Sequence, residues 1–504
     1  MPASNAISLY NCQAVDAGKI PVVGINEFIN FVIEAVQSGK RIASFFAVQS
    51  SSYQVRLFAV LADDNAGNLL VLSSNVSDKY PSLTPDCPQA HLFEREIAEQ
   101  WDVMPQGHPW LKPVRFHNSY STGKGNKKEE PVIPSVMDFF KVEGEEIHEV
   151  AVGPVHAGII EPGHFRFQCF GENVLNLEIS LGYQHRGIER ALIGGPDKRT
   201  LHYMQTLAGD TTIGHTTAYC QLMESLSGSN VSPRAQSLRG IALELERLAN
   251  HTGDLGALAG DIGYLPTSSF CGRIRGDFLN MTALICGNRF GRGQVIPGGV
   301  GFDINKQHSD TLAGKLARAL RDVNVAADLL WNTSSVLARF EETGVVQPEI
   351  CKELGMVGVP ARASGVEIDC RFNFPAGIYC FAQIPISSWH TGDVFARAYV
   401  RWLEIQRSID FILDQVKMLP EGQIRTDIKP PSPGKFCVSL VEGWRGEICH
   451  VGLTGSDGRL CHYKIVDPSF HNWTGLAMAL RNQQISDFPL CNKSFNLSYC
   501  GHDL

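Results

Sequence analysis

Hydrophobic positions follow two different periods along this chain, and the period changes near residue 148 and again near residue 430. The first section opens with a helical pattern over Asn26–Gln37. Strand-like segments rich in Val, Leu and Phe follow at Arg41–Gln49, Tyr53–Ala62 and Asn68–Ser74. Short turns separate them, the last being Asp63-Asp64-Asn65-Ala66-Gly67, so residues 1–117 read as a small α+β domain. Residues 118–147 are polar and rich in Gly and Lys, without periodicity, and read as a linker. Beyond them long amphipathic helices dominate. Pro233–Leu258 puts Leu238, Ile241, Leu245 and Leu248 on one stripe, and Asp310–Phe340 and Asp393–Leu419 repeat the pattern. Pro430–Val466 returns to strand-like alternation. The expected fold class is α+β: a small N-terminal α+β domain, then a large, mainly helical domain over residues 148–504 with peripheral β elements.

Composition narrows the function classes. A chain of 504 residues holds two to four domains with proper cores. Its net charge of −8 argues against a general nucleic-acid binder. The linker lysines do not change this, because Glu129 and Glu130 follow them directly. No run of apolar residues is long enough to span a bilayer. The N-terminus, Met1-Pro2-Ala3-Ser4-Asn5, lacks a basic, then apolar, secretory signal. The expectation is a soluble protein, cytoplasmic or docked on a membrane through partners. None of the 14 cysteines forms a C-x-x-C pair, so buried free thiols are expected.

Candidate chemistry begins at the tail, Ser494 to Leu504. A C-x-x-C pair there would clamp a soft metal. Ser498 and Gly501 stand at that spacing instead, with Cys500 out of register. In the first section, Glu94-Arg95-Glu96 is followed by Asp102 and by Gly107-His108-Pro109. Charge so clustered fits either an ion-pair interface or a plain surface helix. The later section contains Gly153-Pro154-Val155-His156, Glu161-Pro162-Gly163-His164 and Leu181-Gly182-Tyr183-Gln184-His185-Arg186-Gly187-Ile188-Glu189. It continues with Glu244-Leu245-Glu246-Arg247, Gly358-Val359-Pro360-Ala361-Arg362, Thr391-Gly392-Asp393, Glu442-Gly443-Trp444-Arg445-Gly446-Glu447 and Asp467-Pro468-Ser469-Phe470-His471-Asn472-Trp473.

The first set resembles the 30-kDa subunit of respiratory complex I, which implies a docking domain over residues 1–117. The second set resembles the large subunit of membrane-bound, energy-converting [NiFe]-hydrogenases and the related 49-kDa subunit of complex I. The fusion of both modules is similar to the large subunit of formate hydrogenlyase. Hydrogenases of this kind hold nickel and iron between four thiolates from two C-x-x-C motifs. The resemblance places His215 at the family's histidine, so the early ligand positions are Ala208 and Thr211 and the late ones Ser498 and Gly501. All four thiolates are absent. Cys220 lies twelve residues past Ala208, roughly 18 Å along a helix, too far to substitute. Such large subunits also carry a C-terminal extension that is removed after nickel insertion, and the chain stops at Leu504.

The 49-kDa family's quinone-reactive Asp-Tyr pair would fall at Ala208-Gly209, and His156 and His164 are the nearest candidates for its quinone-contacting histidine. The ionisable groups left around the old site are His156, Glu161, His164, His185, Arg186, Glu189, Asp210, His215, Arg362, Asp393, Arg397, Asp467 and His502. Buried and paired, they could relay protons or form an ion-pair scaffold.

The resemblance therefore implies a nickel-free subunit of a complex related to NADH:quinone oxidoreductase. It would couple electron transfer to proton or ion translocation, with a quinone-like acceptor. It would bind no cofactor of its own, contact a small [4Fe-4S] subunit and membrane antiporter-like subunits, and sit peripherally on the cytoplasmic side of the inner membrane. A structural or assembly subunit and an active [NiFe]-hydrogenase are the alternatives.

Overall fold

The computed structural model describes residues 5–51, 54–121, 132–134, 136–158 and 160–504. Tyr53, the first four residues and most of the linker's charged run lie outside the described residues.

The N-terminal strands β1 (Ile7–Leu9), β2 (Arg41–Ser51), β3 (Gln54–Asp63) and β4 (Asn68–Val76) form an antiparallel sheet in the order β1-β4-β3-β2. Helix α1 (Ile25–Gln37) buries Phe28, Ile29 and Val32 against it. Apart from β1, these are the segments that the hydrophobic pattern predicts. Helix α2 (His91–Trp101) closes this part.

The rest of the chain is built on helices α3 (Thr212–Ser227), α4 (Pro233–Asp261), α5 (Leu265–Cys286), α6 (Lys306–Trp331) and α7 (Val394–Lys417). Helix α4 starts where Ser232 accepts the Ala235 N–H, with Pro233 in the first turn, a standard start signal. The helix expected over Asp310–Phe340 is two helices. Helix α6 ends at Trp331, and a separate turn runs over Ser334–Phe340. Asn332 and Thr333 interrupt it, each bonding its side chain back to the preceding turn.

A small antiparallel sheet at the front of this domain is made by β5 (Ile147–Val152), β6 (His164–Phe170) and β7 (Asn173–Ser180). A second sheet, β8 (Lys435–Glu442), β9 (Glu447–Thr454) and β10 (Leu460–Val466), lies between the two parts of the chain, with Val15–Asp16 pairing to β8. Period-two alternation explains this middle position. Phe436, Val438 and Leu440 face the N-terminal sheet, where Phe436 stacks on Phe58. Cys437, Val441, Ile448 and Tyr463 join the helical core on the other side. Strand β9 is buried at every position, its polar Glu447 and His450 included.

Buried charge also joins the two parts. Glu96 on α2 accepts both from Arg115 and from Lys464 on β10, the latter at 2.6 Å. Lys464 pairs in turn with Glu189 at 3.0 Å. Glu96 thus makes an ion-pair interface within the chain, while its two charged neighbours bind backbone. Glu94 accepts the Leu83 and Thr84 amides, and Arg95 donates to the Lys112 and Pro113 carbonyls.

Burial works to raise the Glu96 carboxyl, but Arg115 and Lys464 together outweigh it and hold the group at about 2. A folded-state pKa depressed from 4.5 contributes stability above pH 4.5 that is lost as pH falls towards 2. We expect about 3 kcal/mol to vanish across that window. Glu96→Gln should flatten this part of the profile of denaturant midpoint against pH. An unchanged acid limb would show that the carboxylate does not hold the interface.

Candidate functional site

The tail and the segment before α3 are brought together by three side chains. Arg186 donates to the Leu207 carbonyl at 2.8 Å and to the Cys500 carbonyl at 3.2 Å. Arg445 binds both oxygens of Asp210, at 2.6 and 2.8 Å, and also donates to the Asn496 carbonyl. Asp467 accepts from His215 at 3.0 Å and lies against Gly501. Positions 208 and 211 therefore face positions 498 and 501 across one buried site.

No thiol stands at those four positions. Ala208 offers only a methyl group. The Thr211 hydroxyl accepts from Trp444 Nε1 at 3.1 Å and from Arg445 at 3.2 Å. The Ser498 hydroxyl accepts the Gly501 amide at 2.9 Å. A Cβ on Gly501 would fall 2.8 Å from Asp467 Oδ2 and 2.9 Å from Ser498 Oγ. The neighbouring Cys500 thiol is pushed up by burial, which disfavours the thiolate a soft metal needs. Among the described residues, no three His, Cys, Asp or Glu side chains are arranged to hold a metal ion.

The Asp467 contact begins a hydrogen-bonded chain. His215 Nδ1 lies 3.1 Å from His450 Nε2, and His450 Nδ1 lies 2.8 Å from the Tyr463 hydroxyl. Asp467 only accepts, so His215 donates to it through Nε2. Burial and the nearby His215 hold His450 well below the usual histidine range, so it is neutral. The direction that satisfies every member runs Tyr463 to His450 to His215 to Asp467. Burial works to raise Asp467, but the His215 bond, Arg445 and Ser469 together hold it below the ordinary carboxylate value. Asp210 is held low in the same way by Arg445 against its burial.

A backbone crossing fixes Arg445. The Gly358 and Gly446 chains touch, so that a Cβ on Gly358, at φ +67°, would fall 2.0 Å from the Arg445 carbonyl. Glycine is required at both positions.

Of the candidate residues, the structure gathers Arg186, Asp210, His215 and Asp467 at this site. His185 borders it, stacked on His117 and held at about 4 by burial and Arg115. His502 bonds Asp503, which in turn accepts the Gly182 and Gln184 amides. His156 and His164 bind the Gly163 and Gly153 carbonyls within their own loop, and Glu161 on that loop is exposed. Glu189 belongs to the Lys464 ion pair.

Arg362, Asp393 and Arg397 lie elsewhere. Arg362 pairs with Glu404 and Glu442 in a separate buried cluster. Asp393 is the N-cap of α7: it accepts the Ala396 amide at 2.8 Å and the Glu342 amide at 3.0 Å. Arg397 bonds Ser494 and the Gly392 and Gly344 carbonyls. Sequence reasoning passes over Arg445, His450 and Tyr463. Arg445 carries a signal, because it stands between Gly443 and Gly446 in a motif that the resemblance uses.

The chain is 30% identical over 352 residues to the carbon monoxide-induced hydrogenase of Rhodospirillum rubrum, covering 69% of this chain and 97% of that protein. The chain belongs to the family of complex I-like hydrogenase large subunits. Residues 261–435 match the family described as the respiratory-chain NADH dehydrogenase 49 Kd subunit. Formate hydrogenlyase subunit 5 of Escherichia coli is 28% identical over 84% of this chain and 76% of its own length. NADH-quinone oxidoreductase subunit 4 of Thermus thermophilus is 28% identical over 68% of this chain and 90% of its own. These relatives span hydrogenases and quinone oxidoreductases, so membership of this hydrogenase-like family leaves the reaction to be argued from the site.

Two variants separate capping from site chemistry. Asp393→Ala should cost about 1 kcal/mol, the usual loss of a helix cap, and should leave the tail site intact. Gly501→Ala should cost about 1–3 kcal/mol by overpacking, because its methyl group displaces the carboxylate that binds His215. Denaturant midpoints measure both costs. A neutral Gly501→Ala would show that Asp467 can move freely.

Proposed function

We propose that this chain is a nickel-free large subunit of a membrane-associated, complex I-related oxidoreductase, in which it couples electron transfer to proton or ion translocation. One observation carries the reading. The four positions that resemblance assigns to nickel ligands hold no thiolate, while the ionisable groups around them are retained and hydrogen-bonded. Their oxygen donors are engaged internally, and the Asp467 carboxylate crowds the place where a side chain at 501 would start. This donor set does not fit a nickel–iron centre, which needs soft thiolates, and no step of the mechanism runs through one.

The remaining side chains can hold and move protons. A proton supplied at the Tyr463 hydroxyl can shift each hydrogen along its bond, from Tyr463 to His450, from His450 to His215 and from His215 to Asp467, each member accepting on one side and donating on the other. Electrons would come from a [4Fe-4S] cluster in a small partner subunit and leave to a quinone-like acceptor. The N-terminal part, residues 1–117, would be the 30-kDa-like docking module, joined through 118–147 to the 49-kDa-like part. Among the described residues, no helix is long and apolar enough to cross a membrane. The protein would thus sit peripherally on the cytoplasmic side, against antiporter-like membrane subunits.

A second reading, a structural or assembly subunit, draws on the pairing of Arg186, Arg445 and Asp210 across the site, which ties down the tail without any ligand. The test uses the assembled complex. His450→Gln, which keeps the size and polarity but not the relay, should lower redox-linked ion transport at least tenfold while the complex still assembles. Unchanged transport in His450→Gln favours the structural reading. Stoichiometric nickel in the wild-type complex by elemental analysis would overturn the nickel-free assignment.

A further inference from the structure

We infer that a cavity beside the tail binds a small oxyanion, a carboxylate or a phosphate, through Arg275 and Lys493. This site is independent of the proton chain and of the redox reading. The cavity holds about 320 Å³ and lies between α4, α5 and the end of the helix Phe488–Phe495. Its charged lining is Asp210, Asp254, Arg275 and Lys493, with Asn250 and Asn496 beside them.

The two carboxylates are already committed. Arg445 holds both oxygens of Asp210. Arg401 donates to one oxygen of Asp254 at 2.7 Å and Asn496 to the other at 2.6 Å. The two cations are not committed. Among the described residues, neither Arg275 nor Lys493 has a carboxylate within ion-pairing distance, and Asp261 acts on Lys493 only from farther away. Asp210 with Arg445 and Asp254 with Arg401 cancel, so the lining and its direct partners leave two positive charges, Arg275 and Lys493, with Asp261 farther out partly offsetting Lys493. Both side chains are half-buried, where an uncompensated cation attracts an anion more strongly than it would in open water.

The backbone sets the arm that would do the binding. A Cβ on Gly253 would meet Arg275 Cδ at 2.8 Å and Nε at 3.0 Å. The bare helix surface at 253 is what allows the arginine to lie across α4. On α5, Gly272 has nothing within 4 Å of its Cβ position, which leaves that wall open. A guanidinium presents paired N–H donors that match an oxyanion, and an ammonium adds a point charge from the second side. A ligand held there would lie beside Asp210, one residue from Thr211.

The test titrates inorganic phosphate and succinate, in separate calorimetric runs at constant ionic strength, into the full 504-residue chain. We expect saturable binding of at least one anion, with a Kd at or below about 1 mM. Binding of phosphate alone assigns a phosphate ligand, of succinate alone a carboxylate, and of both a general oxyanion site. Arg275→Gln and Lys493→Gln should each weaken binding about tenfold or more. Gly253→Ala keeps both charges but pushes the arginine aside, and should weaken binding as well. Absence of saturable heat with either anion up to about 10 mM overturns the proposal. So does binding that is unchanged in folded Arg275→Gln and Lys493→Gln variants.

Discussion

A guanidinium taken out of water must find carboxylates or carbonyls, and most of this fold is arranged to meet that demand. Arg115, Arg247, Arg362, Arg397 and Arg401 are among the largest fully buried side chains. An unpaired charge in such a place would cost several kcal/mol. Each of these arginines therefore fixes the position of elements far apart in sequence. Arg247 on α4 donates to the Glu442 and Gly443 carbonyls at the end of β8. Arg401 on α7 ties Asp254 on α4 to the Phe495 carbonyl before the tail. Arg115 reaches the His502 carbonyl. These bonds place the tail beside the segment that holds positions 208 and 211.

The largest of these clusters shows how the charges are balanced. Arg247, Arg362 and Arg371 face Glu244, Glu404, Asp369 and Glu442, all buried. Three guanidiniums against four carboxyls leave one negative charge in excess. Glu442 is the carboxyl that burial and the neighbouring Asp369 push up, while Arg362 and its neighbours hold Glu404 well down despite its burial. A proton taken up here would settle first on Glu442. That residue opens the turn carrying Trp444 and Arg445 to the tail site, so the charge state of the cluster and the geometry of Arg445 share one short segment.

The sequence makes the elements legible and the pairings illegible. Helical and alternating periods report which face of a segment is apolar, so α1, α4, α7 and the N-terminal strands can be read within a few residues. The break at Asn332 and Thr333 escapes such a reading, because side chains that bond back to the preceding turn leave no mark in the period. The middle sheet reads as strands, yet its place between two cores does not show, because its buried faces carry Glu447, His450 and Lys464 among the apolar residues and so look half-exposed. At the site, histidines and carboxylates can be nominated by type. Whether one caps a helix, as Asp393 does, or binds His215 beside Gly501, as Asp467 does, depends on what lies far away in the chain. The Arg445–Asp210 pair, which closes the site, joins residues from two distant motifs that no spacing rule connects.

Those two roles differ in what they leave free. Asp393 spends both oxygens on capping: Oδ1 accepts the Ala396 amide and the Thr391 hydroxyl, and Oδ2 accepts the Glu342 amide. Asp467 spends one oxygen on the Ser469 amide and turns the other to His215 beside Gly501. The glycine is what makes that second oxygen fit. With a thiolate at 501 the carboxylate would have to withdraw, and the bond from His215 would lose its acceptor. The acceptor that ends the His215–His450–Tyr463 chain and any side chain at 501 thus compete for the same space, and Gly501 leaves that space to the Asp467 carboxylate.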